Sequence, residues 1–399
     1  MKPLIIAIPP NTPSHQDGRM RRIKNKSVSF PFVERKRNKR EANTTRKRIL
    51  KEDTPLVGGR ESKTPPAETL FINDRIYGRT KITEPVLIEL INSKPMGRLK
   101  RIDQHGAQSI ARPEIPLITR FDHSVGVMIL LKKFKASLEA QIAGLLHDIS
   151  HSAFSHVIDY AIGDSRTGDW HEKFVKKVLN QSAIPKILKK YHLDLERVAE
   201  AKNYKLLELP EPNLCADRID YFFRDSYVCY NFLTKRQIRI ILNNLKVING
   251  EWSFTKKAAA KLMAKTFIKT AKHGWYHPKN SMGFLILGQA IKIALAKKLI
   301  KEKDLFSDDK TLFRKLSTLK QLDVQKELRL LRSFKVRINY QEYDRRSRPK
   351  SRAVDPYISS RNRLIRLSAM DYEFKKDLNR FKKYIQAGIP MQITNHFDI

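Results

Sequence analysis

Four side chains in three short segments carry the chemistry of this sequence. They are His123 in Arg120-Phe-Asp-His123, the adjacent His147-Asp148 in Leu146-His147-Asp148-Ile149-Ser-His151, and Asp217 in Ala216-Asp217-Arg218-Ile-Asp220-Tyr221. A His-Asp dipeptide alone arises by chance. The ordered set is more specific, because imidazole and carboxylate together suit a divalent ion such as Mn, Fe, Ni, Zn or Mg. Such an ion lowers the pKa of bound water and polarises a phosphoryl oxygen. The set therefore points to metal-dependent phosphoester hydrolysis, with His123, His147, Asp148 and Asp217 as ligands.

A second cluster follows at once. His151 lies four positions beyond His147, His156 five further, Asp159 three beyond that, and His171 sits in Trp170-His171-Glu172. A His–Asp pair three apart can hydrogen-bond on a helix. Its carboxylate would hold the imidazole charged, as a general acid needs. Arg120, three positions before His123, would reach the same pocket as a phosphate clamp. A lone histidine on an apolar helix is usually a packed core residue. Here five of the 11 histidines fall within the 49 positions 123–171, which scattered core positions would not produce. His105, His273 and His277 read as structural or surface groups.

Three helices must bring these groups to one point. Val125, Val127, Met128, Leu130, Leu131 and Phe134 mark a core helix within 119–135, and Leu138 to His147 reads as a second buried helix. Further helices are expected at 170–180, 212–228, 235–245, 255–273, 279–301, 309–317, 320–331 and 369–386. Val247-Ile-Asn249-Gly250-Glu-Trp252 is an Asn-Gly hairpin signal, and short strands are expected near 352–358 and 363–368. The fold class is mainly α: a helical core with short β hairpins in the C-terminal part. The expected organisation is a basic, disordered tail over 1–66, a catalytic core over 67–245 and an α+β extension over 246–399.

The chain of 399 residues is 41% hydrophobic, enough for a sizeable core, and has no apolar run long enough for a transmembrane helix. Two cysteines, Cys215 and Cys229, argue against a disulfide framework and for a reducing, cytoplasmic setting. The net charge is +38, of which residues 1–63 carry +11 from 17 basic and 6 acidic side chains. Such a field attracts polyanions: nucleotides, nucleic acid or acidic lipid. A lysine-rich solvated surface is the plain alternative.

The segments Arg120-Phe-Asp-His-Ser-Val-Gly-Val-Met, Ile142 to His156 and Ala216 to Asp225 resemble those of HD-superfamily phosphohydrolases. The likeness is to the branch of dNTP triphosphohydrolases and dGTPase-like proteins. Ile76-Tyr-Gly78 and Arg98 to Gly106 match that branch's N-terminal motif, and Arg352-Ala-Val-Asp-Pro356 and Arg366-Leu-Ser368 its C-terminal segment. The resemblance implies an HD-domain helical fold and a homo-oligomer. It implies His123, His147, Asp148 and Asp217 as metal ligands, and His151, His156, Asp159 and His171 as catalytic histidines with their acidic support. His156 would protonate the leaving 5′ oxygen. Arg120 and Arg218 match phosphate-contacting positions; Gln104, Tyr221 and Asp225 match positions that hold the deoxyribose and its 3′-hydroxyl. The sequence departs from the branch at His105, where an apolar residue is usual, and at Asn92 and Lys100, where the activator site has Asp and Arg.

The expected activity is therefore hydrolysis of nucleotides, most concretely of a dNTP to deoxynucleoside and triphosphate. A phosphatase or phosphodiesterase on another nucleotide or a nucleic-acid end would use the same centre. A nucleic-acid-binding protein working through the basic tail is the reading from a different class.

Overall fold

The computed structural model describes residues 69–360 and 363–395. The basic segment 1–66, and with it the expected tail, lies outside the described residues.

The central element is the helix Arg120–Lys133. It begins at a capping box: Thr119 Oγ1 accepts from Asp122 N, and the Asp122 carboxylate accepts from Thr119 N, both at 3.1 Å. Its middle is apolar on all sides because two cores flank it. Val125, Met128 and Ile129 join a smaller core with the helices Pro85–Ile91 and Lys94–Leu99, while Val127, Leu130 and Leu131 join the larger one. The neighbouring helix Leu138–Leu146 divides likewise, Ile142 and Leu145 to the smaller core and Ala143 to the larger. This two-sided burial explains the mixed spacing of their apolar residues. The larger core runs from Ala107 to Met391 and holds the C-terminal helices together with the inner faces of the small sheets.

The third helix, Ala216–Arg224, packs against Arg120–Lys133 at Gly126. A Cβ on Gly126 would stand 1.8 Å from an Arg224 nitrogen and 2.2 Å from Asp220 Oδ1. Glycine is thus what lets a charged pair enter the helix contact. Arg224 spans the join, donating to Asp220 Oδ2 and to Asp74 Oδ2, each at 2.7 Å. Asp74 ends the strand Leu70–Asp74, which pairs antiparallel with Gly78–Ile82. It also accepts from Ile76 N and Tyr77 N, so one carboxylate both closes the hairpin turn and anchors it to the helix. No apolar alternation in the sequence announced this N-terminal hairpin.

The helix expected over 212–228 is shorter and ends differently. It runs as α-helix over Ala216–Arg224 and continues as a π-helical turn, Asp225–Cys229. A second π turn, Ala271–Trp275, follows the helix Lys257–Thr270. The two turns meet: Trp275 Nε1 donates to Asp225 Oδ2 at 2.6 Å, and the Ser226 and Thr270 hydroxyls are 2.7 Å apart. Such turns insert one residue and re-aim a side chain without ending the helix.

The expected Asn-Gly hairpin is present. Leu245–Ile248 pairs with Glu251–Phe254 through Asn249 (φ 53°) and Gly250 (φ 75°), two positive values as a primed turn requires. Glu251–Phe254 then pairs parallel with Tyr357–Ser360, which pairs with Arg363–Arg366. A three-stranded sheet orders Val336–Ile338, Ile389–Ile393 and Arg345–Ser347. The architecture is mainly α with small sheets, as expected. No described helix is long and apolar enough to cross a membrane.

The Gly126 contact makes a sharp prediction. Gly126→Ala forces Arg224 and Asp220 apart and should lower folding stability by about 3 kcal/mol or more, read as a shift of the urea midpoint. A wild-type midpoint would contradict this packing.

Candidate metal centre

The three helices deliver their groups to one buried point. His123 Nε2 lies 2.9 Å from Asp217 Oδ1 and 3.7 Å from Asp148 Oδ2. His147 Nε2 lies 3.6 Å from Asp217 Oδ1 and 3.4 Å from Asp148 Oδ1. His147 caps the C-terminus of Leu138–Leu146, where its Nδ1 is held by the Gly144 carbonyl at 2.8 Å. Nε2 is consequently fixed facing the cluster, and it is a buried nitrogen with no hydrogen-bond partner. His123 Nδ1 is held by Asp220 Oδ2 at 2.8 Å. Each imidazole is thus oriented from behind by an acceptor, the arrangement that metal-binding histidines use.

The protonation states support the same fit. Burial lowers the His123 pKa, but hydrogen bonds to Asp217 and Asp220 and the charge of Asp148 outweigh it and raise it to about 10. Burial would raise Asp217; its contacts with His123 and His147 hold it well below the usual carboxylate range. Burial opposes Asp148 likewise, and Arg120 and His147 hold it low. The metal-free cluster therefore keeps a proton where a divalent cation would replace it.

Asp148 is shared. Arg120 donates to its Oδ2 at 2.7 Å, to Ser155 Oγ at 2.9 Å and to the Gln104 carbonyl at 3.3 Å. All three guanidinium nitrogens of this expected phosphate clamp are engaged by the protein. Arg218 is engaged too: it donates to the Leu209 and Asn213 carbonyls at 3.2 and 2.5 Å, and to Cys215 Sγ at 3.3 Å. Arg218 still lines the cavity, and its Nε is buried without a partner.

The second histidine cluster forms one wall. His151 stacks on His171 at 3.7 Å between ring centroids and meets His156 edge-on at 4.9 Å. Asp159 accepts from His156 Nδ1 at 3.0 Å and from Trp170 N at 3.1 Å, tying the short helix Val157–Ala161 to the 3₁₀ turn Trp170–Phe174 that carries His171. Burial lowers the His156 pKa despite Asp159, and Arg120 pushes it further down. The expected charged imidazole is therefore neutral at rest, and an arriving phosphate anion would restore its proton. Burial and the charge of His156 lower His171 to about 3; burial and Arg120 hold His151 well below its ordinary value.

Another part of the lining is aromatic, with the Tyr221 ring 6.4 Å from that of His123. Tyr221 meets Trp275 edge-on at 5.3 Å. Asp225 takes His105 Nε2 on Oδ1 at 2.8 Å and Trp275 Nε1 on Oδ2 at 2.6 Å. Gln104 lines the same space, and its Oε1 is buried without a partner. All these groups border one cavity of about 870 Å³, within the range for small-molecule sites. His105 is therefore part of the site, and its pairing with Asp225 was hidden by 120 residues of separation. Glu208 also faces the cavity; burial and the neighbouring Asp217 raise its carboxyl to about 7.

The HD domain family model matches residues 120–225. An uncharacterised protein of Bacillus subtilis, YdhJ, is 37% identical over 76% of this chain and 93% of its own length. The metal-dependent phosphohydrolase cns2 of Cordyceps militaris is 34% identical over 53% of this chain and 62% of its own. A Dictyostelium discoideum protein named as a homolog of the deoxynucleoside triphosphate triphosphohydrolase SAMHD1 is 24% identical over 69% and 60%. The crystal structure of a hypothetical Aquifex aeolicus protein shares the fold: TM-score 0.58 at 19% identity, covering 79% of this chain and 99% of that one.

Two titrations test the cluster. His123 has its pKa raised by folding, so it stabilises the metal-free protein below its ordinary value of 6.5, and this is lost as pH rises to about 10. Urea stability of the metal-free protein should decline across that window, and the decline should shrink in His123→Gln, His147 being raised as well. Mn²⁺ binding at pH 7 should release about one proton, read by calorimetry in buffers of different ionisation enthalpy. Binding without proton release would contradict the cluster's electrostatics.

Proposed function

The chain belongs to the HD superfamily of metal-dependent phosphohydrolases and works with a divalent metal ion, and on that premise we propose that it hydrolyses nucleotides, with dNTPs as the leading substrates. The observation that carries this reading is the single cavity joining the His123–His147–Asp148–Asp217 cluster, the His156–Asp159 pair and the Tyr221–Trp275 wall. A phosphoester can meet the metal while its nucleoside packs on the neighbouring rings, the Tyr221 ring standing 6.4 Å from that of His123.

The bound ion supplies Lewis acidity and a lowered pKa for the attacking water. His123, His147, Asp148 and Asp217 would hold it; Asp220 and the Gly144 carbonyl orient the two imidazoles. Arg120 fixes Asp148. The Nδ1 of His156 is held by Asp159, which leaves Nε2 to donate a proton to the leaving oxygen while the carboxylate stabilises the imidazolium. His151 and His171 stay neutral beside it. Cleavage between the 5′ oxygen and the α-phosphorus would yield deoxynucleoside and triphosphate.

A second reading has its own observation. Both oxygens of Asp225 already accept, from His105 and Trp275, which weakens it as an acceptor for a sugar hydroxyl. A phosphomonoesterase acting on nucleotides would need no such contact, and the cns2 relative is named only as a phosphohydrolase. The proposal includes a homo-oligomer, which light scattering on the eluting protein reads directly.

Product analysis separates the readings. Mn²⁺-loaded protein is expected to turn dNTPs into deoxynucleosides and triphosphate, with loss of turnover in His147→Ala and Asp217→Ala. Orthophosphate as the first product would favour the phosphatase. Undiminished turnover in both variants would contradict the assignment of the centre.

A further inference from the structure

Both arginines expected at the phosphates line the cavity but are partly committed to the protein: Arg120 serves Asp148, Ser155 and Gln104, and the terminal nitrogens of Arg218 serve the 209–215 turn, leaving its Nε without a partner. The cavity nevertheless contains an arginine with no such employment. Arg352 lies in the segment between the strands Arg345–Ser347 and Tyr357–Ser360. Its guanidinium carbon sits 5.0 Å above the Tyr221 ring and 5.8 Å from that of Trp275. Lys350, two residues earlier, lines the same cavity. A Cβ on Gly168 would stand 3.5 Å from Lys350 Cδ and 3.6 Å from His156 Nδ1, which places the lysine stem beside the catalytic imidazole. Among the described residues neither Arg352 nor Lys350 forms an ion pair with a carboxylate.

The segment is held in place as a strap across the cavity. Ser165 Oγ donates to the Arg348 carbonyl at 2.9 Å, and Tyr276 Oη donates to that of Lys350 at 2.7 Å. At its far end Asp355 N donates to the Pro212 carbonyl at 3.0 Å, and Ser368 closes on the Asp355 carboxylate. The backbone is thus fixed at several points, while two cationic side chains between them face the cavity without a direct ion pair, within the field of Asp217 and Glu208. An unpaired cation above an aromatic wall is stabilised in part by the ring, and it is a ready anion site.

We propose that the strap is the enzyme's anion clamp: Arg352, above the Tyr221 ring that neighbours His123, and Lys350 bind the non-reacting phosphates of the substrate beside the metal cluster. This rests on the phosphohydrolase reading of the site and adds to it the residues that favour polyphosphate over monophosphate esters. Arg352, stacked on Tyr221 and Trp275, fixes where the nucleoside ends and the phosphates begin. Lys350, more exposed, closes over the outer phosphates.

The test uses the full chain, metal-loaded at fixed free Mn²⁺, and measures dNTP turnover and inhibition by inorganic tripolyphosphate in Arg352→Gln, Arg352→Lys and Lys350→Met. Losing a charge-assisted contact should weaken tripolyphosphate and raise KM by about 10–100-fold in Arg352→Gln. Arg352→Lys should recover part of this, kcat should change less than KM, and orthophosphate inhibition should hardly move. Lys350→Met, at an exposed position, reports independently if Arg352→Gln fails to fold. Wild-type tripolyphosphate inhibition in folded variants of both residues would overturn the clamp and leave the phosphohydrolase reading intact. A wild-type protein that turns over no phosphoester, yet binds tripolyphosphate in a strap-dependent way, would sink that reading and keep the clamp.

Discussion

The structure depends on how His123 is held. Its ring has a carboxylate on each nitrogen, Asp220 behind and Asp217 in front. Asp220 is balanced by Arg224, and Arg224 by Asp74 of the N-terminal hairpin. This is a row of alternating charges through a nearly dry interior. Every member carries a desolvation cost that only its neighbours offset. The row dictates several features at once. Gly126 must lack a side chain so that Arg224 can pass. The hairpin turn must end on an acid. Three helices must meet within hydrogen-bonding distance. At the cavity end the row stops at Asp217, where a divalent cation in place of a proton completes the alternation.

The same burial has opposite consequences a few ångströms apart. His123 is raised because two carboxylates touch it, whereas His151 and His171 lack an acid that outweighs burial and lie beside other positive groups. The cavity is thereby graded: acidic at the metal cluster, neutral along the stacked imidazoles, cationic at the Lys350–Arg352 strap. On the proposed reading, a phosphoester bridging these zones would meet metal and cations on its oxygens and a neutral imidazole that its own charge would recharge. Desolvation makes each contact stronger than it would be in water.

Much of this was legible in the sequence. Imidazole and carboxylate are donors that a divalent ion accepts, so His123, His147-Asp148 and Asp217 stand out by type and order, and the structure brings them into one cluster. The Asn249-Gly250 hairpin was legible because a primed turn requires positive φ at both positions. Other features were not. The π turns at 225–229 and 271–275 leave no mark on apolar periodicity. Arg218, matched to a phosphate contact through the family resemblance, lines the cavity, but that its terminal nitrogens are held by the 209–215 turn could not be read locally. His105 with Asp225, Arg352 over Tyr221, and the Asp74–Arg224–Asp220 row are pairings across long separations, set by tertiary packing that no local pattern encodes. Glu208 had no motif around it at all.

The central claim is that two imidazoles from different helices, together with Asp148 and Asp217, grip one divalent ion. Electron–nuclear double resonance on the Mn²⁺-loaded, ¹⁵N-labelled protein addresses it most directly. The account predicts directly coordinated nitrogen from two histidines, with one coupling lost in His123→Gln and the other in His147→Gln. A spectrum without strong ¹⁵N coupling, or one unchanged by both substitutions, would contradict it.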